Sequence, residues 1–239
     1  MGGRIIIAGG DEAGRGAVIG PLVIGVVSMT SGKIAKLPKI GVRDSKLLTA
    51  RKRSFLYDEI QSLAEEVKSY AISPLEINNA MRSNISLNEL EAIHFSRLID
   101  SLNKVNAIYL DSPDVIQERF GIRVSVLSQK PIKLPGAKRT KTGEGAENAI
   151  KVISEHKADL RYPVVSAASI IAKVVRDEEM EKISDIVGLD LGSGYASDNK
   201  TVSTIKQNLN NKNLLPHIRE FWKTMDNIRQ LRMDEFLGQ

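Results

Sequence analysis

Apolar and polar positions alternate along this chain in blocks that change period several times. Arg4 to Ala8 runs through three consecutive isoleucines into Gly9-Gly10, the pattern of a short buried strand with a glycine stop. Val18 to Met29, dense in Val and Ile after the turn Gly14-Arg15-Gly16, predicts a second strand that pairs with the first as a hairpin. Thr49 suits the N-cap of a helix through Arg51 to Lys68, because Leu56, Ile60, Leu63 and Val67 recur at helical spacing. Asn88 to Leu102 repeats that spacing with Leu90, Ile93, Leu98 and Leu102. Ala107 to Leu110 reads as a buried strand running into Asp111-Ser112-Pro113-Asp114, Arg123 to Leu127 alternates like another, and Ala149 to Ile153 gives a further one. Ser128 to Asn148 holds two Pro and three Gly and reads as a loop. Pro163 fits the first turn of a helix reaching about Ile186, so rich in small and apolar residues that it belongs in the core. Beyond Gly194, helical patterns cover Thr201 to Asn210 and Pro216 to Leu231. The expectation is an α/β fold: a mixed sheet flanked by helices, with a helical C-terminal portion.

Composition narrows the function classes. A chain of 239 residues, 42% hydrophobic and 26% charged, has the size and balance of a globular domain and not of a disordered segment. It has no cysteine, which excludes disulfides, thiolate metal clusters and a Cys nucleophile. Catalysis must then come from carboxylates, hydroxyls, amines or the three histidines. The apolar run Ile5 to Ala8 is too short for a signal-peptide core or a membrane span, so a cytoplasmic protein without membrane association is expected. The net charge of +5 hints at a polyanionic partner. Its placement says more. Lys33, Lys36, Lys39, Arg43, Lys46, Arg51, Lys52 and Arg53 face the single acid Asp44 between Ser31 and Arg53, and Lys130, Lys133, Lys138, Arg139 and Lys141 form a second stretch without an acid. Either run alone is equally well a solvated face.

Acids at the ends of buried strands need a reason, because a carboxylate facing a core is costly unless paired or metal-bound. Asp11-Glu12 follows the first strand, Asp111 follows Ala107 to Leu110, and Asp159 comes shortly after Ala149 to Ile153. If these strands are neighbours, their acids gather at one edge. Oxygen-only donors of that kind favour Mg²⁺ or Mn²⁺, and two such ions about 3.5–4 Å apart suit phosphodiester hydrolysis. For each acid taken singly, a turn or helix cap is the competing explanation.

Five ordered motifs carry a resemblance: Asp11-Glu12-Ala13-Gly14-Arg15-Gly16, Arg43-Asp44-Ser45-Lys46, His156-Lys157-Ala158-Asp159, Ser166 to Lys173 with Arg176-Asp177, and Gly192-Ser193-Gly194-Tyr195. Together they resemble type 2 ribonuclease H, specifically archaeal-type ribonuclease HII, over about residues 4 to 225. The resemblance implies a ribonuclease H-like fold. It also implies cleavage 5′ to ribonucleotides in RNA–DNA hybrids and in duplex DNA with embedded ribonucleotides, leaving 3′-OH and 5′-phosphate ends. Residues 1–190 would form the catalytic domain, 191–229 a helical substrate-binding portion and 230–239 a tail. Asp11, Glu12, Asp111 and Asp159 would be the catalytic, metal-binding acids. Asp177 is the competing choice for the fourth, but it stands on the helix begun by Pro163 and reads better as a structural partner for a Lys or Arg.

Telling RNA from DNA requires detecting a 2′-OH. In the resembled family Gly14, Arg15 and Gly16 would do so: glycines let the main chain approach a sugar, and Arg15 can hold a phosphate. A tight turn explains the glycines equally well. Tyr195 would stack on the neighbouring deoxyribose, with a packed loop aromatic as the alternative, and Lys46 would contact a phosphate near the scissile bond. Ala17 and Ala196 stand where the family commonly has Pro, which predicts looser substrate loops. His94, His156 and His217 read as packing or surface residues, with a supporting role open for His156. The 128–148 stretch either touches the duplex or is an insertion. In the tail, Gln230, Met233, Phe236 and Leu237 fit the spacing of a sliding-clamp-binding box. The expected state is a monomer. The rival readings are a type 3 ribonuclease H and a catalytically idle nucleic-acid-binding or clamp-docking protein on the same fold.

Overall fold

The computed structural model describes residues 4–42, 48–136, 149–228 and 230. In chain order the elements are β1 (Ile6–Ala13), β2 (Leu22–Thr30), α1 (Ser31–Ile34), α2 (Leu37–Ile40), α3 (Ala50–Leu63), β3 (Glu66–Ile72), α4 (Pro74–Arg82) and α5 (Leu87–Ser101). There follow β4 (Ala107–Asp111), α6 (Gln117–Leu127), β5 (Ile132–Lys133), β6 (Ile150–Glu155), α7 (Ala158–Arg161), α8 (Pro163–Val187) and α9 (Asn199–Gln207), then a 3-10 turn at Leu215–His217. The strands form one mixed sheet in the order β3-β2-β1-β4-β6-β5. β1, β4 and β6 are adjacent and parallel, as are β5 and β6. No helix among the described residues is long and apolar enough to cross a membrane.

The chain divides into two compact units, one of residues 1–13, 24–70 and 88–174, the other of 14–23, 71–87 and 175–239. In the first, β1 and the start of α8 are in main-chain contact: a β-carbon on Gly9 would lie 2.4 Å from the carbonyl of Val164, so no larger residue fits there. Ala158, Val164 and Val165 are buried with Ile7, Tyr109 and Tyr162 packed against them. The second unit has its own core, in which Val18 and Ile19 meet Met180, Ile183, Leu191, Ile205, Leu214, Ile218 and Met225.

Thr49 caps α3 through its hydroxyl, which accepts from the Lys52 amide at 3.2 Å. The helix ends earlier than its apolar spacing predicts. Ala64 turns extended at ψ 154°, and Val67 and Lys68 belong to β3. Arg123 to Leu127, expected as a strand, is the C-terminal half of α6: Phe120, Gly121 and Val124 face inward at helical spacing, while Val126 is exposed. The expected helix over Pro216 to Leu231 is interrupted, since Ile218 leaves the 3-10 turn extended at ψ 138° and helix resumes only over 223–228. In the predicted loop, Ile132–Lys133 pairs with β6, and 137–148 lies outside the described residues.

Candidate active site

The parallel register sets the acids side by side. Gly10 pairs with Leu110, so Asp11 and Asp111 follow one residue further along neighbouring strands, and Asp111 pairs in turn with Glu155 on β6. Asp11 is 4% exposed, and its Oδ1 accepts the Glu12 amide at 2.8 Å. Burial pushes its carboxyl well above the usual carboxylate range; the charges of Glu12 and, more weakly, Asp111 push the same way, against Lys173 and a hydrogen bond from Ser169. Lys173 and Ser169 act together, with Nζ donating to Oγ at 2.9 Å. A buried carboxyl crowded by neighbouring half-buried acids offers the oxygen donor chemistry of a hard divalent cation. Among the described residues no three His, Asp or Glu side chains are grouped closely enough to hold a metal ion.

Asp159 stands on α7 and is buried. The residue before its neighbour, Lys157, is left-handed at φ 56°, which turns the chain so that the Ala158 amide donates to Asp111 Oδ1 at 2.8 Å. The Ser166 hydroxyl donates to the Asp159 carbonyl, tying the turn to α8. Glu155 is a strand-end acid that sequence reasoning passed over. Its Oε2 accepts from Arg161 Nη1 at 2.9 Å and from the Tyr162 hydroxyl at 3.1 Å, so it is engaged in an ion pair beside the site. Asp177 belongs to the second unit, beside the charge of Arg176.

Within the second unit, the Gly14-Arg15-Gly16 turn and Tyr195 come together. Gly14 has φ +87°, and a β-carbon there would meet Arg176 Nε at 2.4 Å, so the position demands glycine twice over. Ala17 bridges Tyr195, and the Val18 amide donates to the Gly194 carbonyl at 2.8 Å. Arg176, 4% exposed, donates to the Ser193 carbonyl at 2.8 Å and places its guanidinium 4.6 Å from the Tyr195 ring centroid. Arg219, fully buried, donates to the carbonyls of Gly20 and Arg15, both at 3.0 Å. Arg176 stands in one of the five motifs and interrupts the apolar run of α8, but its burial and that of Arg219 have no signal in the sequence pattern. Ala17 does not simply loosen its loop: its amide donates to the Gly14 carbonyl at 3.1 Å, a bond proline could not make.

Lys46, Arg139, Met233, Phe236 and Leu237 lie outside the described residues, and Gln230 is described and exposed. Lys130 is structural, its ammonium donating to the carbonyls of Ile99 and Leu102 at the end of α5. Among the histidines, His94 is buried and stacked on Tyr70 at 4.5 Å. His217 gives its carbonyl to the Gly20 amide, and burial lowers the pKa of its ring.

The chain as a whole is similar to known proteins. The family model described as Ribonuclease HII matches residues 8–225. Ribonuclease HII of Pyrococcus furiosus is 42% identical over 96% of this chain and 97% of its own, and that of Methanosarcina barkeri 39% identical over 95% and 96%. Among solved structures, the ribonuclease H2 of Pyrococcus horikoshii OT3 has a TM-score of 0.80 at 37% identity, covering 96% of this chain and 99% of its own. The RNase HII solved in a complex with PCNA from Archaeoglobus fulgidus has a TM-score of 0.75 at 35% identity, covering 92% and 96%. Bst-RNase HIII in complex with Mn²⁺ has the same TM-score at 22% identity, covering 96% of this chain and 71% of its own, a likeness of fold. The sheet is thus ribonuclease H-like, and the chain belongs to the ribonuclease HII family of nucleases, hydrolases of the ribonuclease H class.

Proposed function

We propose that this protein hydrolyses the phosphodiester 5′ to ribonucleotides, in RNA–DNA hybrids and in duplex DNA carrying embedded ribonucleotides. The observation that carries the reading is the gathering of acids on adjacent parallel strands, where buried Asp11 is raised by burial first and then by the charges of half-buried Glu12 and Asp111. Asp11, Glu12, Asp111 and Asp159 would hold divalent cations, Mg²⁺ or Mn²⁺. Such ions supply activation of water and neutralisation of charge on the phosphate and the leaving oxygen. Water oxygen adds to phosphorus, the bond to the 3′-oxygen breaks, and that oxygen takes a proton, leaving 3′-OH and 5′-phosphate ends.

Recognition of the ribose would fall to the second unit. The turn at Gly14, Arg15 and Gly16 would read the 2′-OH through its main chain while Arg15 holds a phosphate, and Tyr195 would pack against the adjoining sugar. Lys46 and the other basic residues between Ser31 and Arg53 would supply salt-dependent affinity for the duplex. The tail, with Gln230, Met233, Phe236 and Leu237, would dock on a sliding clamp, a reading supported by the PCNA complex of the Archaeoglobus relative.

The test is a duplex with one embedded ribonucleotide, incubated with Mg²⁺ or Mn²⁺ and either wild type or Asp11→Asn. Incision 5′ to the ribonucleotide by wild type alone is expected. No cleavage by wild type, or equal cleavage by both, overturns the assignment.

A further inference from the structure

We infer that His156 is a positioning residue for the ion-binding acids: its ring ties the turn that follows Asp111 to the turn that delivers Asp159. The inference rests on the reading that both acids hold divalent cations.

Two turns have to be held in register for these acids to serve one site. The first runs from Asp111 to Gln117 and the second from Glu155 to Asp159, and four hydrogen bonds join them. The Ser112 amide donates to the Glu155 carbonyl at 3.0 Å, and the Ala158 amide donates to Asp111 Oδ1 at 2.8 Å. His156 makes the other two: its amide donates to Gln117 Oε1 at 3.0 Å, and its ring Nε2 lies 2.7 Å from the Asp114 carbonyl. A carbonyl only accepts, so Nε2 carries the proton.

The far side of that bond is anchored. Asp114, itself buried, takes Asn88 Nδ2 on one oxygen at 2.5 Å and Arg123 Nε on the other at 3.3 Å, and Arg123 Nη1 donates to Glu89 at 2.6 Å. The near side is strained, because Lys157 is a non-glycine residue in the left-handed region. Such a conformation persists only where the contacts around it dictate it. His156, directly before Lys157, clamps one end of the strained peptide, and the Ala158 bond to Asp111 clamps the other. Losing the ring bond releases the turn and with it the placement of Asp159 relative to Asp111. The imidazole is exposed, so its removal opens no cavity.

The experiment compares wild type, His156→Ala, His156→Gln, Gln117→Leu and Asp159→Asn. Mn²⁺ binding to each is measured by calorimetry and EPR, beside thermal melts and cleavage of the embedded-ribonucleotide duplex across Mn²⁺ concentrations. His156→Ala should weaken Mn²⁺ binding and raise the half-saturating Mn²⁺ concentration about tenfold, the factor expected for loss of a positioning contact around a metal ligand. Its metal-free melt should stay close to wild type. His156→Gln should recover most of the loss, because its amide nitrogen also donates to a carbonyl, and Gln117→Leu should shift Mn²⁺ binding in the same direction as His156→Ala. Unchanged Mn²⁺ binding in His156→Ala while Asp159→Asn is impaired overturns the inference and spares the site. A His156→Gln variant as defective as His156→Ala overturns it in favour of a chemical role for the ring. Wild-type binding and cleavage by Asp159→Asn overturns the site reading itself.

Discussion

The guanidinium of Arg219 donates to the main-chain oxygen of Arg15 at 3.0 Å, joining residues 204 positions apart in the chain. Its Nε donates to the Gly20 carbonyl, and Asn78 brackets the same segment by donating to the Ile218 carbonyl and accepting the Glu220 amide, both at 2.9 Å. The turn proposed to read the ribose is thus braced from beneath by a planar fork of donors. Lysine presents a single charge and cannot span both carbonyls. For Arg219→Lys the expected result is a rise in KM for the embedded-ribonucleotide duplex of about tenfold, equivalent to about 1.4 kcal/mol, the scale of one lost buried hydrogen bond. Half-saturating Mn²⁺ should not move, because the acids belong to the other unit. Steady-state kinetics checks this, and an unchanged KM in a folded variant rejects the bracing role.

Asp11 should set opposite pH trends for the metal-free and metal-loaded protein. Its folded pKa is raised by burial first and by Glu12 next, so its favourable contribution is complete below the ordinary 3.8 and is lost as pH climbs through the raised value. The metal-free melting temperature should therefore fall across that window. Cation affinity should rise across it, because the ligand form is the carboxylate. Asp11→Asn removes the buried charge, so in EDTA it should be more stable than wild type at neutral pH by about 1–3 kcal/mol, while cleavage is abolished. Melts in EDTA and in Mn²⁺ from pH 4 upward decide it; a wild type as stable as the variant in EDTA would contradict the argument.

Much of this arrangement is legible in the chain because the signals are local. Three isoleucines mark β1 and a strand running straight into Asp111 marks β4, although β1 does not stop at Gly9-Gly10 but runs through both glycines to Ala13 and carries Asp11 and Glu12 within it. What escapes is set by tertiary context. β3 lies at the sheet's edge with two exposed and four partly exposed positions, so it shows no alternation, and Val67 completes the apolar spacing of the helix before it. Val124 and Val126 mimic period two, yet Val126 is exposed on a helix. The Asn78 bracket and the reach of Arg219 to Arg15 involve residues with no neighbourhood in sequence, and no periodic pattern encodes them.

The C-terminal box makes a separable prediction. Gln230, Met233, Phe236 and Leu237 place a polar residue and apolar residues at the spacing with which one helical turn fills a groove. A chain ending at residue 229 should lose retention on an immobilised sliding clamp and keep its rate on a short embedded-ribonucleotide duplex. Phe236→Ala in the full chain should lose clamp binding about as completely, because buried aromatic anchors dominate such contacts. Retention of binding by both variants would eliminate the tail as the docking element.

Asp198 links the loop bearing Tyr195 to α9, and that link should be visible in acid. Its carboxylate accepts the Ser193 amide at 2.7 Å and the Lys200 amide at 2.9 Å, and the first of these contributes most to holding its pKa down at about 2. A depressed folded pKa gives support that is complete above the ordinary 3.8 and disappears as pH falls towards about 2. Asp198→Asn keeps one acceptor oxygen but turns an NH₂ towards an N–H donor, so it should lose stability at neutral pH and raise KM through the neighbouring Tyr195. The protein's single tryptophan, Trp222, belongs to the same unit, so its fluorescence reports unfolding where the change is made. In urea titrations the gap between wild type and variant should be constant above about pH 4 and close towards pH 2. A gap that persists undiminished at pH 2 would mean that Asp198 supports the loop by packing or polarity and not by its charge.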